Sequence, residues 1–254
     1  MLLFPPAKIN LGLRILRKRS DGFHDLETCF YPLYSHCDAL EMLVSEVSSL
    51  QVYKADWSGE VEKNLVWKAM ELFRQAEPAL PPMQWHLLKN IPSGAGLGGG
   101  SADAAYALRL MAAHCNWPAD DKRLHEMAAK LGSDCAFFLL DEPAIGLGRG
   151  EILEPFPVDL SAFEIKLVLP GIHISTAEAF SNVTPHEPEI PLKDILLKPV
   201  ESWRELLVND FENSVFLLYP ELKNAKDKLY AEGAVYASLS GSGSALFGLF
   251  RKAV

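Results

Sequence analysis

Pro92-Ser93-Gly94-Ala95-Gly96-Leu97-Gly98-Gly99-Gly100-Ser101-Ala102 is the stretch on which the reading of this chain turns. Five of the chain's 17 glycines fall within seven of its positions, and an Ala- and Leu-rich run, 101–114, follows directly. Ala and Leu have the highest helix propensities, so the stretch is a glycine loop that opens a helix. Glycine takes positive φ readily and lets backbone N–H groups approach a ligand with no Cβ in the way. A helix N-terminus adds unpaired N–H donors and a partial positive charge, and the combination favours phosphate. A flexible loop ending at a helix cap has the same composition. The loop does not decide the matter alone.

Of two familiar phosphate loops, one is excluded and the other disfavoured by its context. A Walker A loop ends in Gly-Lys-Ser/Thr, and Gly100-Ser101 has no lysine between its members. Gly94-x-Gly96-x-x-Gly99 matches the dinucleotide fingerprint formally. However, it lies far from the N-terminus, and the acids about 20 residues on, Asp120 and Asp121, sit where a helix starts.

Outward from the loop, residues 8–15 alternate strictly. Ile9, Leu11, Leu13 and Ile15 point one way and Lys8, Asn10, Gly12 and Arg14 the other, the pattern of a half-buried strand. Further strands are expected at 26–33, 40–44, 50–53 and 84–88. Asn64 is a candidate N-cap for a helix with Leu65, Ala69, Leu72, Phe73 and Ala76 on one stripe. Asp120 or Asp121 caps a third helix that Gly132 ends. Pro155 and Pro157 interrupt the helix signals, which predicts two domains, 1–155 and 156–254. The second begins with a strand at 164–169. It continues with a helix whose capping box is Ser202…Glu205 and another from Pro220 to Gly233. Strands at 235–239 and 245–250 flank Ser240-Gly241-Ser242-Gly243-Ser244. The irregular mixture indicates an α+β fold.

Composition sets outer limits. In 254 residues, 49% are hydrophobic and 22% charged, which suits a globular protein and excludes wholesale disorder or coiled coil. A formal net charge of -9 argues against a nucleic-acid binder, which is normally basic. Four cysteines without a CxxC pair and seven histidines without HExxH disfavour a zinc site and a disulfide framework. Met1-Leu2-Leu3-Phe4-Pro5-Pro6 lacks a basic n-region, and no apolar run approaches the roughly 20 residues of a membrane span. A cytoplasmic protein is expected, with no membrane partner.

The glycine loop, with its proline, interleaved glycines, Leu97 and terminal Ser101-Ala102, resembles the phosphate loop of the GHMP kinases: galactokinase, homoserine kinase, mevalonate kinase, phosphomevalonate kinase. Pro6-Ala7-Lys8-Ile9-Asn10-Leu11 is similar to that family's first motif and Ser240-Gly241-Ser242-Gly243-Ser244-Ala245 to its third. Lys8-Ile9-Asn10-Leu11, Asp21-Gly22-Phe23-His24, Gly98-Gly99-Gly100-Ser101, Gly132-Ser133-Asp134 and Pro170-Gly171 resemble the branch that phosphorylates a cytidyl diphosphate ester of methylerythritol. That branch works in the non-mevalonate supply of isoprenoid precursors. The resemblance covers nearly the whole chain, although the chain stops soon after the third motif, where relatives usually continue with another helix.

The resemblance implies a ribosomal-protein-S5-like N-terminal domain, a ferredoxin-like C-terminal domain, ATP as phosphoryl donor and Mg²⁺ with it; the residues themselves identify no all-protein metal site. It implies specific roles as well. Asp134, otherwise a capping aspartate, becomes the catalytic base. Lys8, otherwise a solvated strand lysine, stands beside it and offsets charge on the transferring group. Residues 92–102 hold ATP phosphates, with Asn64 (equally an N-cap) at the adenine and Lys89 and Arg149 as further phosphate partners. Asn10 hydrogen-bonds the acceptor. Phe23 stacks on the cytosine, where relatives often have Tyr, and His24 reads the base's polar edge. Phe180 lies across the base, with Thr176 nearby. A small-alcohol kinase of the homoserine or mevalonate type is the first alternative, and a non-catalytic nucleotide-binding relative the second. A branched side chain at Gly98 is expected to block phosphate while leaving the fold largely intact.

Overall fold

In the computed structural model of the protein, residues 1–54, 60–181 and 183–252 are described, apart from the side chain of Thr176. The chain forms two compact units. Unit 1 comprises Met1–Lys8, Pro32–Ser93 and Gly98–Asp141; unit 2 comprises Ile9–Tyr31, Gly94–Leu97 and Glu142–Val254.

Unit 1 is a sheet with helices. Its strands run in the order Leu2–Leu3, Ala39–Val44, Met83–Leu88, Ser49–Tyr53. Only the last pair is parallel. The expected strands here all form, within a residue at each end. Helix Leu65–Ala76 starts at Asn64, whose side chain accepts from the Val66 N–H, and it buries Val66, Ala69, Met70 and Phe73 at helical spacing. Asp121, not Asp120, caps helix Lys122–Leu131 by accepting from the Arg123 N–H. Helix Gly99–His114 begins two residues earlier than its composition suggests and is buried along most of its length, which is why its small apolar residues form no single stripe.

Unit 2 holds a three-stranded antiparallel sheet, Tyr236–Leu239, Leu246–Arg251, Phe163–Val168. Its core gathers Leu13, Ile15, Phe211, Val215, Leu222, Leu229 and Leu239. A further sheet takes the order Pro6–Lys18, His24–Cys37, Ala144–Gly148, Ile152–Pro155. Its last two strands form a hairpin that sequence reading passed over. Prolines and the Gly148-Arg149-Gly150 turn masked it, yet Pro155 ends an edge strand, where a missing N–H costs no ladder bond.

Two expectations are corrected. The alternating strand is buried on both faces, with Lys8, Asn10 and Arg14 at 3%, 2% and 4% exposure. Alternation reports which residues share a face but not what covers it. The polar face is tolerated inside because its groups find partners, Arg14 for example binding the Glu27 carboxylate and the Ile190 carbonyl. Ser202 makes no capping box. Its hydroxyl donates back to the Pro199 carbonyl at 2.8 Å, and the full capping box belongs to Ser175 and Glu178, ahead of helix Thr176–Phe180. Among the described residues, no helix is long and apolar enough to cross a membrane.

Candidate active site

The loop residues alternate in environment. Ala95, Leu97, Gly99 and Ala102 are buried anchors; Pro92, Ser93, Gly94 and Gly100 are exposed; Gly96, Gly98 and Ser101 lie between. Gly98 takes the N-cap position of helix Gly99–His114 with φ +71° and offers no capping side chain. The first helical N–H groups have no carbonyl one turn behind them, so the helix presents donors where an anion would sit. The expectation for Gly98 changes. A Cβ there would lie 3.0 Å from the Phe138 ring and 3.1 Å from Cγ of Lys8, so a side chain would disturb packing as well as phosphate approach.

Lys8 and Asp134 meet in unit 1. Asp134 lies in the turn after Gly132, and its Oδ2 is 3.6 Å from the Lys8 ammonium. The short helix that follows, Phe137–Leu140, has Ala136 as its N-cap and no side-chain cap. The capping alternative for Asp134 thus finds no bond. Lys8 is buried while the Asp134 side chain is 30% exposed. Burial pulls the Lys8 pKa below its ordinary value, and the negative charge of Asp134 pushes it back part of the way. At 3.6 Å the pair is looser than a direct hydrogen bond, which leaves the carboxylate able to accept from a second donor. A fixed ammonium beside an accessible carboxylate is suited to taking a hydroxyl proton while offsetting negative charge on a transferring phosphoryl group.

A cavity of about 160 Å³ adjoins the loop helix in unit 1, with Val52, Leu65 and Leu87 as apolar wall and Asn64, Ser93 and Lys89 among its polar lining. Capping and lining are compatible for Asn64, because the cap uses its carbonyl oxygen and leaves the amide nitrogen as a donor. Lys89 is more constrained than its sequence context suggests. Its ammonium is held by the Asp38 carboxylate and, at 2.7 Å, by Asp103. Burial acts to lower the Lys89 pKa, but the two carboxylates outweigh it and the net shift is upward. Burial also pushes Asp103 up to about 7, against the pull of Lys89 and with a further push from Asp38. Neither acid was picked out from sequence. An aspartate inside the apolar run 101–114 was the available signal.

In unit 2 the loop residues Gly94–Leu97 contact the glycine-serine turn at 240–244. The Ser240 hydroxyl donates to the Gly96 carbonyl at 2.9 Å, and the Ala245 N–H donates to the Ala95 carbonyl at 3.1 Å. Gly96 has φ +78°, and a Cβ on it would lie 2.0 Å from the Ser240 carbonyl oxygen, so only glycine fits. Asn209, which sequence reading missed, holds the turn by donating to the carbonyls of Leu239 and Gly241 at 2.9 and 3.0 Å. Asn10 donates to the Thr28 hydroxyl at 3.0 Å.

The aromatic residues of unit 2 are partly brought together. His24 and Phe180 stack on each other, centroids 4.5 Å apart and 15° between planes, and Phe180 meets Phe211 edge-on at 4.8 Å. Phe23 is 53% exposed, with the Arg149 guanidinium 4.8 Å from its ring centroid. It follows a turn fixed by Asp21, which accepts from the Phe23 N–H; hydrogen bonds from Arg19 hold that carboxyl below the usual range. Thr176 opens helix Thr176–Phe180, and its side chain lies outside the described residues.

The chain is similar to known proteins over nearly its whole length. The family model for the GHMP kinases N terminal domain matches residues 64–142, and that for GHMP kinases C terminal matches 192–254. A curated 4-diphosphocytidyl-2-C-methyl-D-erythritol kinase of Bacteroides thetaiotaomicron is 48% identical over 254 residues, covering 98% of this chain and 92% of its own. One from Porphyromonas gingivalis is 44% identical, covering 99% and 93%. A crystal structure of 4-(cytidine 5'-diphospho)-2C-methyl-D-erythritol kinase superposes with TM-score 0.82 at 35% identity, over 98% of this chain and 90% of that one. Homoserine kinase from Cytophaga hutchinsonii, at 17% identity and TM-score 0.71, shares the fold. With both family models matched, and with relatives this similar over nearly their whole length, the chain belongs to the 4-diphosphocytidyl-2-C-methyl-D-erythritol kinase family of the GHMP kinases.

Proposed function

We propose that the protein transfers the γ-phosphoryl group of ATP to the 2-hydroxyl of 4-diphosphocytidyl-2-C-methyl-D-erythritol, in the non-mevalonate route to isoprenoid precursors. The observation that carries a catalytic reading, over a non-catalytic one, is the buried Lys8 ammonium paired with the accessible Asp134 carboxylate. The substrate assignment rests on the relatives' shared name at 41–48% identity. In the reaction, the substrate oxygen bonds to the γ-phosphorus, the bond from that phosphorus to the β-phosphate oxygen breaks, ADP leaves, and Asp134 takes the hydroxyl proton. Lys8 offsets the charge of the transferring group, and the loop's N–H groups hold the phosphates.

Asn64 and the apolar wall around it take the adenine. Asn10, Phe23, His24, Phe180 and Thr176 serve the cytidyl substrate. Mg²⁺ is part of this reading and neutralises phosphate charge when bound. Among the described residues no group of three acidic, His or Cys side chains stands ready to hold it. An ion bound chiefly by phosphates and water needs no all-protein site. Four cysteines outside any disulfide suit work in the cytoplasm. A domain break near residue 155 falls between the two matched stretches.

The test is ADP release with the cytidyl substrate, homoserine and mevalonate offered separately. Turnover confined to the cytidyl ester is expected. Turnover with either small alcohol at equal efficiency would overturn the substrate assignment, and none with any would overturn the catalytic one.

A further inference from the structure

We propose that His173 binds a phosphate oxygen of the cytidyl substrate's diphosphate, its imidazole N–H donating from beside the glycine loop. The inference rests on the reading that Phe23, His24 and Phe180 take the base of that substrate, and it adds a contact to the same site.

The backbone brings His173 to the loop. Ile172 and Ile174 pack with the core of unit 2, Ile174 at 3% exposure, and His173 between them is exposed. The stretch is pinned to the glycine-serine turn. The Ser244 hydroxyl donates to the Ile172 carbonyl, and a Cβ built on Gly243 would lie 3.4 Å from Cδ1 of Ile174. From that anchor the imidazole lies against Gly94, the first glycine of the loop. A Cβ built on Gly94 would lie 3.0 Å from both Nδ1 and Cε1 of the His173 ring. Gly94 is itself exposed, so the ring stands at the open surface of the loop.

The imidazole is uncommitted there: among the described residues its nitrogens make no hydrogen bond. Glu178, five positions on, has its carboxylate engaged by the Ser175 N–H and hydroxyl and by the Tyr219 hydroxyl. Hydrogen bonds from Ser175 hold that carboxyl below the usual range, and the charge of His173 adds the smallest pull. An imidazole keeps an N–H donor whether neutral or charged, and phosphate oxygens are strong acceptors. They come to this loop from two sources, ATP and the cytidyl diphosphate. Chain continuity favours the second, because the segment runs directly into helix Thr176–Phe180, whose Phe180 stacks with His24. At about 3.3 Å per extended and 1.5 Å per helical residue, His173 and Phe180 are at most about 16 Å apart, on the scale of a nucleoside with its diphosphate. One ligand can meet both.

The test compares the parent, His173→Ala and His173→Gln, reading KM for the cytidyl substrate, KM for ATP and Tm. Cytidine and cytidine diphosphate serve as inhibitors competing against the cytidyl substrate at saturating ATP. His173→Ala should raise KM for the cytidyl substrate and the inhibition constant of cytidine diphosphate by about three- to tenfold, the worth of one hydrogen bond. Inhibition by cytidine and KM for ATP should stay within about twofold. Tm should stay within about 2 °C, because the side chain is exposed. His173→Gln, which keeps an N–H donor, should lie nearer the parent. A parent that does not turn over the cytidyl ester overturns the underlying function and this proposal together. With an active parent, an unaffected His173→Ala overturns the proposal alone. So do equal losses for cytidine and cytidine diphosphate, which mark a base contact, and a rise confined to KM for ATP, which marks the nucleotide's phosphates. A His173→Gln as impaired as His173→Ala overturns the hydrogen bond, and the proposal with it.

Discussion

Replacing Gly96 with Ala tests whether the glycine loop and the glycine-serine turn are held in contact by the absence of a side chain. Two costs are separable in the structure. At φ +78° an L-residue is strained, by roughly 1–2 kcal/mol. The added Cβ would also lie 2.0 Å from the Ser240 carbonyl oxygen, a backbone atom that cannot rotate away. Relief requires the turn to withdraw, which breaks the Ser240–Gly96 and Ala245–Ala95 hydrogen bonds, each worth about 0.5–1.5 kcal/mol net. The total is about 2–5 kcal/mol. In a chain of 254 residues each kcal/mol moves Tm by about 2–4 °C, so a fall of about 4–20 °C is expected. Gly171 provides the control. It has φ +73° and no atom within 4 Å of a built Cβ, so Gly171→Ala carries the backbone cost without the collision. The assay is thermal unfolding of both variants at matched pH and salt, with ATP affinity measured on each. Gly96→Ala must lose more Tm than Gly171→Ala and must also weaken ATP binding. Equal shifts for the two would refute the close-approach argument.

Phe180→Ala should weaken binding of the cytidyl substrate by about 1–3 kcal/mol, the usual worth of stacking on a base, with ATP affinity nearly unchanged. Titration calorimetry with each ligand reads this, and equal weakening of both would show a loss of fold through the His24 and Phe211 contacts instead. Asp103 has a folded pKa pushed up to about 7, above its unfolded value. Its contribution to stability is therefore complete below about pH 4 and lost as pH rises to about 7. Asp103→Asn escapes that loss, so its denaturant-unfolding free energy relative to the parent should improve by about 1–4 kcal/mol between those limits. A difference flat with pH would contradict the buried-acid assignment.

Much of this architecture is legible in the residues because its causes are local. Asn64 and Asp121 cap helices through bonds to their own chain two residues on, and the glycine loop announces a helix start by composition. What stays hidden depends on residues far apart in sequence. Residues 8–15 show which side chains share a face, but the burial of Lys8 and Asn10 is set by partners at 134 and 28. Lys89 reads as an available cation until Asp38, 51 residues away, closes on it. Ser202…Glu205 and Ser175…Glu178 fit the capping pattern equally well on paper. Only the second begins a helix free of a preceding 3-10 turn, and only there do both bonds form. His24 and Phe180 were each identified without any sign that their rings would stack on one another.

The central claim is that Asp134 takes the proton of the attacking hydroxyl while Lys8 beside it offsets charge. Asp134→Asn tests it most directly, because the amide keeps the side chain's size and its reach to Lys8 while removing the basic lone pairs and the charge. The measurement is kcat for ADP release at saturating ATP and cytidyl substrate, on protein whose circular dichroism matches the parent. Loss of a general base lowers the rate by about 10²–10⁴-fold, and a fall within that range is predicted. A folded Asp134→Asn enzyme that retains more than about a tenth of the parental kcat would contradict the assignment.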